Sequence, residues 1–77
     1  MKGGVNTPSD TPWQEILRSA LSQHRQGELA QAEALYRRVL ELQPEMAEAH
    51  YGLGVIELAQ GNNRRAIDSL KRVLRLQ

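Results

Sequence analysis

Residues 27–44 read Gly-Glu-Leu-Ala-Gln-Ala-Glu-Ala-Leu-Tyr-Arg-Arg-Val-Leu-Glu-Leu-Gln-Pro, and residues 61–77 read Gly-Asn-Asn-Arg-Arg-Ala-Ile-Asp-Ser-Leu-Lys-Arg-Val-Leu-Arg-Leu-Gln. The two stretches match at a constant offset of 34 residues: Gln26 with Gln60, Gly27 with Gly61, Ala32 with Ala66, Arg38 with Arg72, Val39 with Val73, Leu40 with Leu74, Leu42 with Leu76 and Gln43 with Gln77. A fixed period of this length is the mark of a repeat array, in which each unit is one supersecondary element that cannot bury its apolar face alone.

Working outward from that stretch, the spacing of apolar residues is helical throughout. Ala32, Leu35, Tyr36, Val39 and Leu40 fall on one face of a helix from about Leu29 to Leu42, with Glu33 and Arg37 at i, i+4 outside. Pro44 disfavours helix at Gln43 and permits a new helix to begin just after it, from about Glu45 to Gln60. Gly52 and Gly54 lie within that helix, where each costs about 1 kcal/mol relative to alanine; they read as close-packing positions. A last helix runs from about Asn63 to the chain end, with Ala66, Ile67, Leu70, Val73 and Leu74 on its apolar face. Upstream, Ile16, Leu17, Ala20 and Leu21 place a first helix over about Pro12 to Gln26, with Thr11 as N-cap, Pro12 at the first helical position and Gln14 completing a capping box. Gly27 and Gly61 end the first and third helices. No alternating β-branched run occurs, so no sheet is expected.

Composition narrows the function. The chain has 77 residues, no cysteine, ten Lys and Arg, nine Asp and Glu, and a net charge of +1. Disulfides and thiolate metal sites are ruled out. Acids and bases interleave, which opposes a nucleic-acid or anionic-membrane surface. Apolar runs are too short for a bilayer span, and the start carries no apolar segment of signal length, so a cytoplasmic location is expected. Residues 1–11 carry little apolar surface and read as a disordered tail; residues 12–44 and 45–77 read as the two units.

Two helix–turn–helix units, each with Gly, then Ala five later, then a bulky residue four after that, resemble the tetratricopeptide repeat. Counting from Trp13, Ile16 and His50 stand at the fourth position, Ser19-Ala20 and Leu53-Gly54 at the seventh and eighth, and Ala32 and Ala66 at the twentieth. Tyr36 and Leu70 stand at the twenty-fourth, Val39 and Val73 at the twenty-seventh, and Pro44 at the thirty-second. The first unit departs where Ser19-Ala20 replaces Leu-Gly and Gln23 replaces a common tyrosine. The resemblance covers Trp13 to Gln77 and implies an all-α fold: an α-solenoid of two antiparallel helix–turn–helix repeats stacked with a right-handed superhelical sense.

Catalytic chemistry finds no foothold. His24 and His50 are 26 residues apart with no local His or Cys partner, so no metal site is expected. Ser19, Ser22 and Ser69 lack the glycines of a nucleophile elbow, and Gly52-x-Gly54 lacks the third glycine and preceding strand of a dinucleotide fingerprint. Glu41, Glu45, Glu48 and Glu57 read as scattered on solvated faces. Arg37-Arg38, Arg64-Arg65 and Lys71-Arg72-Arg75 alternate with Glu33, Glu41 and Asp68, as on a salt-bridged helix surface. No enzyme, cofactor, metal or nucleic-acid partner is expected.

Binding remains. The resemblance implies that the first helix of each unit lines a concave groove for a protein partner. That assigns Gln14, Leu17, Leu21, His24 and Arg25 in the first unit, and Glu48, Tyr51, Val55, Leu58 and Ala59 in the second. This mainly apolar surface suits an amphipathic helix or extended apolar peptide. Leu17 and Leu21 stand where the subclass that grips a chaperone's C-terminal carboxylates carries Lys and Asn, so that subclass is rejected. Leu17 and Leu21 also admit a reading as core. Ile67, Leu70, Leu74 and Leu76 on the last helix have no following unit to cover them, which points to self-association or to a longer array. The first reading is therefore an adaptor or scaffold module. The alternative is the N-terminal segment of a larger enzyme such as a glycosyl- or sulfotransferase.

Overall fold

The structure is a computed structural model and describes residues 12–76. Four α-helices follow one another: α1 (Pro12–Arg25), α2 (Leu29–Leu42), α3 (Ala47–Ala59) and α4 (Asn63–Leu76), with no strand among the described residues. α1 packs on α2, α2 on α3 and α3 on α4, an all-α helical repeat fold.

The helix ends follow from local chemistry. Gly27 and Gly61 both adopt φ +82°, the left-handed conformation that a Cβ penalises. At each, two carbonyls of the preceding helix end are satisfied in the same way. Glu28 N–H donates to Gln23 C=O at 2.9 Å and Gly27 N–H to His24 C=O at 3.0 Å; Asn62 N–H donates to Glu57 C=O at 2.8 Å and Gly61 N–H to Leu58 C=O at 3.0 Å. Between α2 and α3, Gln43 is extended (φ −137°, ψ 82°), as the residue before a proline prefers. α3 begins at Ala47, two residues after the expected Glu45. Pro44 and Glu45 form a turn closed by Met46 N–H to Gln43 C=O at 3.1 Å, and Met46 itself is extended. Pro12 is the first residue of α1 as expected, while the Thr11 cap and the tail lie outside the described residues.

The core is built from Leu17 and Ala20 of α1, Ala32, Tyr36 and Val39 of α2, and Ala49, Leu53 and Ile56 of α3. Alanines at 20, 32, 49 and 66 have no exposed surface, so neighbouring backbones approach closely. Tyr36, Ile56 and Val39 are the largest side chains fully enclosed, each stabilising the fold by roughly 1.5–3 kcal/mol through burial. Gly52 and Gly54 are both buried contact points. A Cβ at Gly52 would land in the Tyr36 ring, and one at Gly54 would sit 3.0 Å from the Leu70 side chain.

Candidate functional site

The packing that buries Tyr36 also opens a cleft above it. Gly52 lets the hydroxyl-bearing end of the ring come close to the α3 backbone, so Tyr36 fills the space between α2 and α3 and its hydroxyl reaches α1. There His24 Nδ1 lies 3.1 Å from the Tyr36 oxygen, and the two rings meet edge to face at 5.9 Å between centroids. The direction of that hydrogen bond follows the imidazole tautomer. A buried tyrosine hydroxyl needs such a partner, and His24 supplies it. Burial pushes the Tyr36 hydroxyl above its usual pKa, an effect that Arg25 opposes and Glu48 reinforces.

The cleft has a volume of about 340 Å3 and takes residues from all four helices: Leu21 and His24 from α1, Tyr36 from α2, Ala47, Glu48, Tyr51 and Gly52 from α3, and Val73 from α4. Its walls are mostly apolar. Besides the two tyrosine hydroxyls, His24 and Glu48 are its polar groups, one a ring that can donate or accept, the other a carboxylate that accepts. Tyr51 is 57% exposed and Leu21 38% exposed, so both present apolar surface to solvent. A concave apolar site with a few convergent polar groups suits the capture of a side chain from another molecule.

Four of the ten residues expected to line a groove meet here: Leu21, His24, Glu48 and Tyr51. Gln14, Arg25, Val55 and Leu58 lie elsewhere on α1 and α3 and do not line this cleft, nor does Ala59. Leu17 is only 8% exposed and packs in the core, the second of the two readings its helical stripe allowed. Tyr36, Ala47, Gly52 and Val73 were not assigned to a groove in advance. For Tyr36 a signal existed: it is the one aromatic on α2, and its hydroxyl has to find a polar neighbour.

A correction concerns Glu57. Far from lying on a solvated face, it is 4% exposed. Ser69 Oγ of α4 donates to its Oε1 at 2.9 Å, and Arg37 of α2 stands 3.9 Å from its Oε2, so one carboxylate joins α2, α3 and α4. Arg37 also donates to Glu33 at 2.8 Å, the expected i, i+4 pair. That hydrogen bond holds Glu33 below its usual pKa against the opposing effect of desolvation, with help from Gln60 and from the charges of Arg37 and Arg65. His50 Nε2–H donates to the Pro44 carbonyl at 2.9 Å and so fastens α3 to the loop before it. Among the described residues no group of His, Cys, Asp and Glu is placed to hold a metal ion, and no helix is long and apolar enough to cross a membrane.

A family model of the tetratricopeptide repeat matches residues 17–77. The chain belongs to the tetratricopeptide repeat family. No curated protein and no solved structure matches it. Tetratricopeptide repeats generally mediate protein–protein interaction and are typically non-catalytic.

Proposed function

We propose that this tetratricopeptide repeat chain is a protein-interaction module of adaptor or scaffold type, and that the cleft over Tyr36 receives an apolar anchor side chain of a partner peptide or helix. The observation that supports this most is the convergence of Leu21, His24, Glu48 and Tyr51 on one apolar depression in a chain of an interaction family. Leu21, Tyr51 and Val73 would surround the anchor, and Tyr36 would form the floor. Glu48 would accept a hydrogen bond from a backbone amide or basic group beside the anchor. The volume suits one large aliphatic or aromatic side chain.

Selection of a random peptide library against the full chain tests this. Peptides carrying a recurrent aromatic or large aliphatic residue are expected. Their affinity should fall about tenfold or more in Leu21→Lys and in Tyr51→Glu, since a charge is then placed where an apolar anchor is desolvated. Both side chains are exposed enough for the helices to stay folded. Peptides whose affinity ignores both substitutions would refute the cleft as the site.

A further inference from the structure

The cleft over Tyr36 contains a hydrogen bond whose sense a proton can reverse. Among the described residues, His24 is the one hydrogen-bond partner of the Tyr36 hydroxyl, with Nδ1 3.1 Å from its oxygen. Tyr36 is 1% exposed, so its O–H has to keep an acceptor. Neutral His24 with its proton on Nε2 supplies one, because Nδ1 then accepts the hydroxyl proton. Protonated His24 supplies none. Both ring nitrogens then carry hydrogen, Nδ1–H donates to the Tyr36 oxygen, and the hydroxyl proton has to turn to another acceptor. Both rings line the cleft, so water standing in it can take that proton.

We infer, on the reading of this cleft as an anchor site, that protonation of His24 and occupation of the cleft by an apolar side chain exclude one another, so that the site holds its partner at neutral pH and releases it in mild acid. An apolar anchor expels the water. In the protonated state that leaves the Tyr36 hydroxyl without an acceptor and sets an imidazolium against hydrocarbon, and both are unfavourable. Neutral His24 carries neither penalty. The sign follows: the empty cleft can take up a proton that the filled cleft cannot, so affinity falls as pH falls through the range where imidazole titrates.

The groups around His24 leave it as the switch. Along the chain it is flanked by Arg25 and Glu28, which are of opposite sign. α2 presents Tyr36 to the cleft, α3 presents Glu48 and Tyr51, and α4 contributes Val73 and no titratable group. Tyrosines stay neutral in this range. Glu48 favours the charged ring and Arg25 opposes it. Glu48 makes no hydrogen bond to Tyr36, so it does not replace His24 as the acceptor.

The probe is N-acetylphenylalaninamide, a neutral mimic of an anchor residue with no titratable group. Its dissociation constant for the full chain is read from the amide NMR shifts of Leu21, Glu48 and Tyr51 at about pH 7.5 and about pH 5.5, between which an ordinary imidazole changes charge while carboxylates stay largely ionised. Affinity should fall at least about fivefold at the lower pH, a coupling of common size. In His24→Gln, which has no ring to charge, the two constants should agree. In Tyr36→Phe, which has no hydroxyl proton to displace, the pH effect should be smaller. In Glu48→Gln it should persist. The same spectra show whether each variant is folded, and if His24→Gln is not, Tyr36→Phe decides alone. Equal affinity at the two pH values, with the cleft amides moving, would overturn the inference and leave the anchor reading standing. A pH effect that survives in His24→Gln, is undiminished in Tyr36→Phe or vanishes in Glu48→Gln would assign it to another group and overturn it as well. An absence of saturable shifts at either pH would overturn both.

Discussion

Gly52→Ala sets two well-defined effects against each other. In an exposed helix the change would stabilise by about 1 kcal/mol, because alanine loses less backbone entropy than glycine. Here the new methyl would collide with the Tyr36 ring, which is 1% exposed and whose hydroxyl is already held by His24. Forcing an extra carbon into a filled core costs about 1–3 kcal/mol. Moving the ring also weakens a hydrogen bond of about 1 kcal/mol and an edge-to-face contact worth about 0.5–1.5 kcal/mol. Packing outweighs propensity, and the net loss should be about 2 kcal/mol. For a domain of this length that lowers Tm by roughly 8–16 °C. Gly54→Ala is the matched control. Its neighbour is the flexible end of Leu70 at 3.0 Å, which can shift by a few tenths of an ångström, so the propensity gain and the crowding should nearly cancel. Thermal unfolding followed by circular dichroism reads both. In a Tyr36→Leu background, Gly52→Ala should become neutral or stabilising, because the ring is gone. A rise in Tm for Gly52→Ala in the otherwise unchanged chain would refute the reasoning, since it would mean that the ring yields without cost.

The buried carboxylate and the two perturbed groups yield further outcomes. Glu57→Leu should destabilise by about 1–3 kcal/mol by leaving the half-buried Ser69 hydroxyl without its acceptor, and Glu57→Gln by less, because the amide oxygen still accepts; urea unfolding ranks the two. Stability should also fall at both ends of the pH scale. Glu33 is held below its reference value of 4.5, so its contribution is complete above that value and disappears as pH falls through the lower folded value. Tyr36 is held above its reference value of 10.0, so its contribution is complete below that value and is lost as pH rises through the higher folded value. Urea midpoints measured against pH check both edges. Glu33→Gln should flatten the acid edge and Tyr36→Phe the alkaline one.

The helices were legible because punctuation and period agreed. Gly27, Gly61 and Pro44 sit where a chain must stop or turn, and the 34-residue offset repeats the same apolar face on α2 and α4. The site was legible only in part, and the reason is geometric. Helical spacing identifies a stripe but not its edge: Leu17 and Leu21 share one stripe on α1, yet packing encloses Leu17 and leaves Leu21 at the rim. Glu57 was misread because its partners lie on other helices, Ser69 on α4 and Arg37 on α2, beyond any i, i+4 rule. Tyr36 reads as core from α2 alone. Its second role as cleft floor depends on Gly52, which lets the ring reach across to His24. The late start of α3 came from Met46, whose extended backbone is set by the Pro44–Glu45 turn rather than by helix propensity.

The most direct test of the binding account is a two-dimensional amide NMR titration of the full chain with a peptide selected on it. The account predicts amide shift changes centred on Leu21, His24, Glu48 and Tyr51, with the Tyr36 amide also moving as the cleft fills. Shifts confined to residues away from the cleft, with those five unmoved at saturation, would contradict it.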